Sequence, residues 1–295
     1  MVRRAVLVER PTEYAELLAR HGTREQARFF LAGRGQEIDT VERRHGIAEE
    51  VRARVLAQIP AEWRRATVQR AELDRFLFEP EDVVLVVGQD GLVANVAKYL
   101  DGQPVIGLNP EPDRYPGVLV PHPPQAAADL LRDVAAGRER AELLTMAGAA
   151  LDDGQRLLAL NELFVGHRTH QSARYTLSHG PETERQSSSG VIFATGTGAT
   201  GWAASIARER AHPVELPAPT DPWLAFFVRE AWPSPATGTE LTDGTFGPPA
   251  SVTITCELGE GGVVFADGIE ADRLELQWGQ SVTITTADHR LMLVR

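Results

Sequence analysis

Three short segments of this chain combine glycine-rich backbone with side chains that handle hydroxyls and phosphates. The first is Gly88-Gln89-Asp90-Gly91. Glycines behind a strand let backbone N–H groups approach a polyphosphate, and a following helix adds its positive end. Asp90 stands where a carboxylate could accept the proton of a hydroxyl. A tight turn with Asp90 capping the helix would use the same residues. The second is Asn161-Glu162, directly after the apolar run Leu157 to Leu160. An adjacent amide and carboxylate can each accept from an O–H and so grip the vicinal hydroxyls of a ribose; a polar strand end facing water looks alike. The third runs from Gly190 to Trp202 through Thr195-Gly196-Thr197-Gly198-Ala199-Thr200-Gly201. Small residues, hydroxyls and backbone donors leading into a helix near Trp202 suit a flat ring or a phosphate.

That third segment matches G-x-G-x-x-G at Gly196, Gly198 and Gly201. A dinucleotide fingerprint also needs a second parallel strand ending in an acidic residue about 20 positions on. Here the chain runs instead into Pro213, Pro217, Pro219 and Pro222, so the segment reads as a small-residue turn. His167 and His170 have a conceivable metal spacing but no third ligand, and no metal site is assigned. Lys98, the sole lysine, reads as a surface residue beyond the Asp90 turn. No G-x-x-x-x-G-K-[ST] sequence occurs, which excludes a P-loop kinase, and the protein-kinase signatures are missing.

The elements that must position these residues follow from periodicity. Ala5 to Val8, Ala66 to Val68 and Val83 to Val87 read as short buried strands, the last apolar on both faces as in a parallel sheet. Residues 13–33 and 47–58 are charged and periodic like surface helices. After the Asp90 turn the pattern predicts a helix through Tyr99-Leu100 and a strand at Val105 to Gly107, a βαβ unit whose glycine turn lies at the carboxyl edge of the sheet. Six prolines between Pro110 and Pro124 mark a crossover, followed by a helix at about 125–136. From about 140 onward the chain reads as strands, with a hairpin turn at Asp152-Asp153-Gly154. The expected division is an α/β N-terminal domain over 1–123 and an all-β C-terminal domain over 124–295, whose last residues can pack back on the first.

The net charge of −11 argues against a nucleic-acid partner, which needs basic patches. No apolar run approaches the roughly 20 residues of a spanning helix, so no membrane role is expected. A single cysteine, Cys256, precludes an internal disulfide, and the N-terminal residues lack signal- or transit-peptide character. The expectation is a cytoplasmic protein.

Taken in order, the segments resemble the NAD kinase family, especially its mitochondrial-type branch and bacterial relatives. The family's Gly-Gly-Asp-Gly turn corresponds to Gly88-Gln89-Asp90-Gly91, and its Asn-Glu pair to Asn161-Glu162. Its glycine- and threonine-rich turn matches Thr195 to Trp202, with the mitochondrial-type Ser-Ser-Gly lead-in at 188–190. Val105 to Asn109 and Asp267-Gly268 also fit. The resemblance covers residues 80–295 well and the first 80 loosely. It departs at Gln89, which replaces a glycine and would be strained by roughly 1 kcal/mol at positive φ. Leu92 replaces a hydroxyl residue, and Ser189 stands where many bacterial members have aspartate.

The resemblance implies an oligomeric, two-domain NAD-kinase-like fold, a homodimer or homotetramer, that takes NAD and ATP as substrates. It implies phosphoryl transfer from ATP or another triphosphate, with Mg²⁺, to the 2′-hydroxyl of the adenosine ribose. Asp90 would be catalytic, with Gly88 and Gln89 forming the phosphate turn. Gly91, Asn161, Glu162, Thr197, Thr200, Gly201, Trp202 and Ser205 would bind NAD. Two alternatives stay open: an NAD(P)-binding or sensing protein without turnover, and a related kinase acting on a lipid or sugar hydroxyl.

Overall fold

The computed structural model describes residues 3–295, and the chain divides into two compact units. The first holds the chain through Val96, Gln103–Ala141 and Leu293–Arg295; the second holds Ala97–Gly102 and Glu142–Met292.

The first unit is built on β1 (Arg4–Glu9), whose Ala5, Val6, Leu7 and Val8 are completely buried. Three helices come next: α1 (Glu13–His21), α2 (Arg24–Ala32) and α3 (Ile38–Gln58). The helical stretch expected over 13–33 is broken at Gly22-Thr23. Thr12 and Thr23 each accept a backbone N–H, from Ala15 and Gln26, and so cap α1 and α2 separately. Helix α3 begins before residue 47 because Ile38 and Val41 pack with Leu17, Ala27 and Leu31 in a small core of their own. Then come β2 (Arg64–Gln69), β3 (Asp82–Val87), α4 (Asp90–Ala97), β4 (Pro104–Leu108) and α5 (Ala127–Ala136). The strands run in the order β2-β1-β3-β4, all parallel. Leu131 and Val134 of α5 pack with Ile106, Leu108 and Val294, which carries this unit past the proline run and includes the last residues of the chain.

The second unit is antiparallel. Its strands are β5 (Ala141–Leu151), β6 (Arg156–Ala159), β7 (Glu162–His167), β8 (Ala173–His179), β9 (Glu182–Ser188) and β10 (Val191–Ala194). After α6 (Trp202–Glu209) come β11 (Leu224–Val228), β12 (Asp243–Phe246), β13 (Val252–Cys256), β14 (Gly262–Ala266), β15 (Ile269–Leu276) and β16 (Ser281–Val294). β5 and β6 form a hairpin around residues 152–155. A six-stranded sheet has the order β12-β11-β10-β7-β14-β15. A second set of strands, β16, β13, β8 and β9, pairs in that order. Phe193 and Phe226 from the first set meet Tyr175, Leu177, Ile254 and Ile284 from the second in one continuous core. Among the described residues, no helix is long and apolar enough to cross a membrane.

One strand register fixes which turns share an edge of the six-stranded sheet. Glu162, the first residue of β7, pairs with Ala194, the last of β10, and Leu163 pairs with Ala266, the last of β14. The turns leaving β10 and β14 therefore emerge at the same sheet edge where β7 begins.

Candidate active site

In the first unit, β3 ends at Val87 and the backbone swings through Gly88, whose N–H donates to Leu108 O at 3.1 Å. Gly88 is the residue that takes the unusual backbone angle, at φ 157°; among the described residues only Glu230 and Asp267 are non-glycines at positive φ. Gln89 therefore carries none of the strain that a left-handed conformation would impose, and the substitution at this point of the turn is sterically accommodated. Leu92 is buried and fills the space beside Gly88, where an added Cβ would meet its Cδ2 at 3.3 Å.

Asp90 opens α4, but its carboxylate does not cap that helix. Oδ1 accepts from the N–H groups of Leu119 (2.8 Å) and Val120 (3.2 Å), and Oδ2 from Val118 (3.0 Å). The loop 118–120 is thus clamped to the start of α4. Gly88 and Gln89 also line a cavity of about 420 Å³ that they share with Arg10, Arg44, Arg52 and Arg114. Sequence reasoning missed these arginines, because they come from three separate stretches that only the fold assembles. Arg52 is held by Glu9 at 2.8 Å, Arg114 by Glu111 at 3.7 Å and Arg44 by Glu13 at 4.0 Å, and Glu49 also lines the cavity, so the arginines sit among carboxylates that balance them.

In the second unit, Asp267 organises the sheet edge. It directly succeeds β14, at φ 52°, and accepts from three consecutive amides: Leu160 at 3.0 Å, Asn161 at 2.7 Å and Glu162 at 3.3 Å. Its own N–H donates to Glu162 O at 3.1 Å. Thr195 pins the same strand end from the other side, its N–H donating to Asn161 O at 2.9 Å and its hydroxyl to Leu160 O at 2.5 Å. That hydroxyl also accepts from Thr197 N and Gly198 N. Gly196 and Gly198 are demanded by close approach: a Cβ at Gly198 would lie 2.2 Å from Asn161 O, and one at Gly196 would lie 1.9 Å from Ala218 O. The glycine spacing that mimics a dinucleotide fingerprint exists to let this turn lie flat on the Asn161-Glu162 strand end.

Beyond the turn, Thr200 donates to Thr197 O at 3.2 Å and Ser205 to Gly201 O at 3.4 Å. The Thr197 hydroxyl is buried and makes no hydrogen bond to the protein. Trp202 is partly exposed and parallel to Phe164, with centroids 6.2 Å apart, and Phe164 stacks in turn on Phe265 at 4.7 Å. The Arg229 guanidinium lies 5.0 Å from the centre of the Trp202 ring. One flat, partly aromatic ledge therefore adjoins the amide–carboxylate pair.

The electrostatics of this edge arise from burial. Desolvation, then the neighbouring charge of Asp267, pushes the Glu162 carboxyl up to about 7. Asp267 is itself raised to about 6 by burial, against the opposing pull of its three amide donors and of Lys98. Lys98 is not a surface residue: its side chain is 1% exposed and its ammonium lies 2.5 Å from Asp272. The helix α4 ends at Ala97, short of the expected Tyr99-Leu100, which turns Lys98 inward and lets the Tyr99 hydroxyl donate to Asp272 at 2.7 Å.

The structure thus gathers Asn161, Glu162, Thr197, Thr200, Gly201, Trp202 and Ser205 at one edge of the second unit, while Gly88, Gln89, Asp90 and Gly91 belong to the first. His167 is buried and its Nδ1 accepts from Thr169 N at 3.0 Å, whereas His170 is exposed. Among the described residues no group of three or more His, Cys, Asp and Glu could hold a metal ion.

A fold of this kind is found in solved NAD and NADH kinases. Yeast NADH kinase complexed with NADH superposes with a TM-score of 0.62 at 13% identity, over 99% of this chain and 83% of that one. An NAD kinase from Archaeoglobus fulgidus in complex with ATP gives 0.57 at 18% identity, over 99% and 93%. In sequence, the NAD kinase of Methylococcus capsulatus is 35% identical over 132 residues, 42% of this chain and 44% of the relative. The mitochondrial NAD kinase 2 of Rattus norvegicus is 28% identical over 251 residues, 68% of this chain and 57% of the relative. The chain spans about half the length of the curated relatives it matches. No family profile matches the chain. In sequence over part of its length, and in fold over nearly all of it, the chain is similar to NAD kinases.

Proposed function

We propose that this protein phosphorylates NAD at the 2′-hydroxyl of its adenosine ribose, using a nucleoside triphosphate. The observation that carries the reading is the second unit's sheet edge. An amide and a carboxylate, Asn161 and Glu162, have their backbone anchored by Asp267 and Thr195, beside a glycine turn and the parallel rings of Trp202 and Phe164, a flat apolar face against which a base could lie. Relatives named as NAD kinases, and fold neighbours holding NADH or ATP, support it.

In this reading Asn161 and Glu162 grip the ribose hydroxyls, and Thr197, Thr200 and Ser205 offer hydroxyls to the adenine beside Trp202. In the first unit, Gly88, Gln89 and Gly91 present backbone to the donor phosphates. The 2′-oxygen attacks the terminal phosphorus, the bond to the bridging oxygen breaks to release the nucleoside diphosphate, and the hydroxyl proton passes by way of the Asp90 carboxylate to solvent. Phosphoryl transfer asks chiefly for alignment and charge neutralisation. Mg²⁺ bound with the donor would offset phosphate charge, and Arg10, beside the Gly88-Gln89 turn, is a cationic group of the chain's own. Asp90, engaged by three backbone amides, keeps one spare acceptor site, on Oδ2, and in this reading orients the acceptor hydroxyl with it.

That engagement of Asp90 also favours a second reading, a protein that binds NAD or NADP without turnover. Incubation with NAD, Mg²⁺ and a panel of triphosphates and polyphosphate, with product detected by an NADP-specific dehydrogenase, separates the two. NADP formation is expected. Calorimetric NAD binding with no NADP from any donor would establish the second reading instead.

A further inference from the structure

We propose that Lys98 is a positioning residue: through Asp272 and Asp267 it holds the Leu160–Glu162 strand end in the geometry that binds a ribose. Lys98 is the chain's only lysine, and its side chain is almost wholly removed from solvent. Burying an ammonium is costly unless counter-charges accompany it. Two are present on the hairpin of β14 and β15. Asp272 of β15 lies 2.5 Å from Nζ, and the positive charge also acts on Asp267, favouring its ionised form.

Asp267 must be ionised to do what the geometry shows. Three N–H donors converge on its two oxygens, and a protonated carboxyl would set an O–H among them. Burial works against that ionisation, while the three amides and Lys98 favour it; burial and Asp267 together work against the ionisation of Glu162. The charged and titratable groups of the cluster are Glu162 on β7, Asp267 and Asp272 on the β14–β15 hairpin, and Lys98 and Tyr99 after α4. Lys98 supplies the single positive charge among three carboxylates. Tyr99 reinforces the assembly by donating to the same Asp272 oxygen.

This inference rests on the NAD reading for its function but can be tested apart from it. Lys98→Met keeps the volume and removes the charge; Lys98→Arg keeps the charge. Hydrogen exchange at the Leu160, Asn161 and Glu162 amides is monitored against pH, with NAD affinity measured by calorimetry. Lys98→Met is expected to speed exchange at these amides and to weaken NAD binding, each by about tenfold, the effect of one lost charged contact. It is also expected to move the acid limb of both to higher pH, because Asp267 then protonates more readily. Lys98→Arg should keep most of the parent's behaviour. If Lys98→Met does not fold, Lys98→Met with Asp272→Asn, which removes both charges of the pair, is read in the same way. Parent-like exchange, acid limb and affinity would overturn the proposal, as would faster exchange spread evenly over the second unit, the mark of a purely structural lysine. A parent protein that binds no NAD would overturn the functional reading, and the amide exchange alone would then decide the role of Lys98.

Discussion

Asp90 and Glu162 are both carboxylates, yet the structure gives them opposite environments. Asp90 is surrounded by donors, so its replacement tests two things at once. Asp90→Asn keeps one accepting oxygen but turns an NH₂ toward one of the three amides of Val118–Val120. Turnover should fall by a factor of roughly 100 or more if it orients the acceptor hydroxyl, NAD affinity should be kept, and stability should drop by about 1–2 kcal/mol. Coupled NADP assays, calorimetry and urea unfolding read the three separately. Glu162 is desolvated and faces another acid. Its folded carboxyl titrates at about 7 against an ordinary 4.5, so between those values the folded chain holds a proton that the unfolded chain has lost. Stability from this group is therefore full below pH 4.5 and is lost as pH rises through 7, on the order of 1 kcal/mol per pH unit. Glu162→Gln should flatten that slope in urea titrations between pH 5 and 7, and an unchanged slope would contradict the assigned environment. The Gln89 substitution needs no rescue: its backbone is not left-handed, so Gln89→Gly relieves nothing.

At the level of elements, the turn from Thr195 to Gly201 owes its glycines to packing. Gly198→Ala would drive a Cβ into Asn161 O, displacing either the turn or the β7 strand end. The expected loss is about 2 kcal/mol or more of stability, with NAD binding lost alongside. Gly91→Ala is the contrast. Nothing lies within 4 Å of a Cβ there, and a helical alanine should match or exceed the parent's stability by up to about 1 kcal/mol. Thermal melts of both variants make the comparison; equal melting temperatures would deny the turn its packing role. The glycine fingerprint was legible as letters, but its purpose was not, since Asn161 and Gly198 lie far apart in sequence and only the β7–β10 register brings them together.

For the molecule as a whole, β16 ties the end of the chain into the first unit. Leu293 is completely buried and Val294 nearly so, the Val294 carbonyl lies 3.0 Å from His122 Nε2, and the Arg295 guanidinium donates to Val118 O at 2.7 Å. The loop gripped by Asp90 is thus also braced by the last residue. Leu293→Ala should cost about 2–5 kcal/mol, read by chemical denaturation with a probe in the first unit. A loss below about 1 kcal/mol, under the usual range for such a truncation, would show that the chain end is dispensable to that core.

Alternation of apolar residues, glycine turns and caps are local properties, so the chain alone determined the α/β-then-β order of elements, the β3–turn–α4 unit and the three motifs. What depends on partners distant in sequence was decided only by tertiary structure. Asp267 has the sequence of an ordinary turn residue, and only the fold brings three amides from 160–162 to meet it. Lys98 has the sequence of a surface cation, and only the early end of α4 buries it. The arginines around Gly88 lie in unrelated stretches. A side chain's charge state, its donors and its degree of burial are set by which strands become neighbours, and strand neighbours are chosen by the packing of the whole chain.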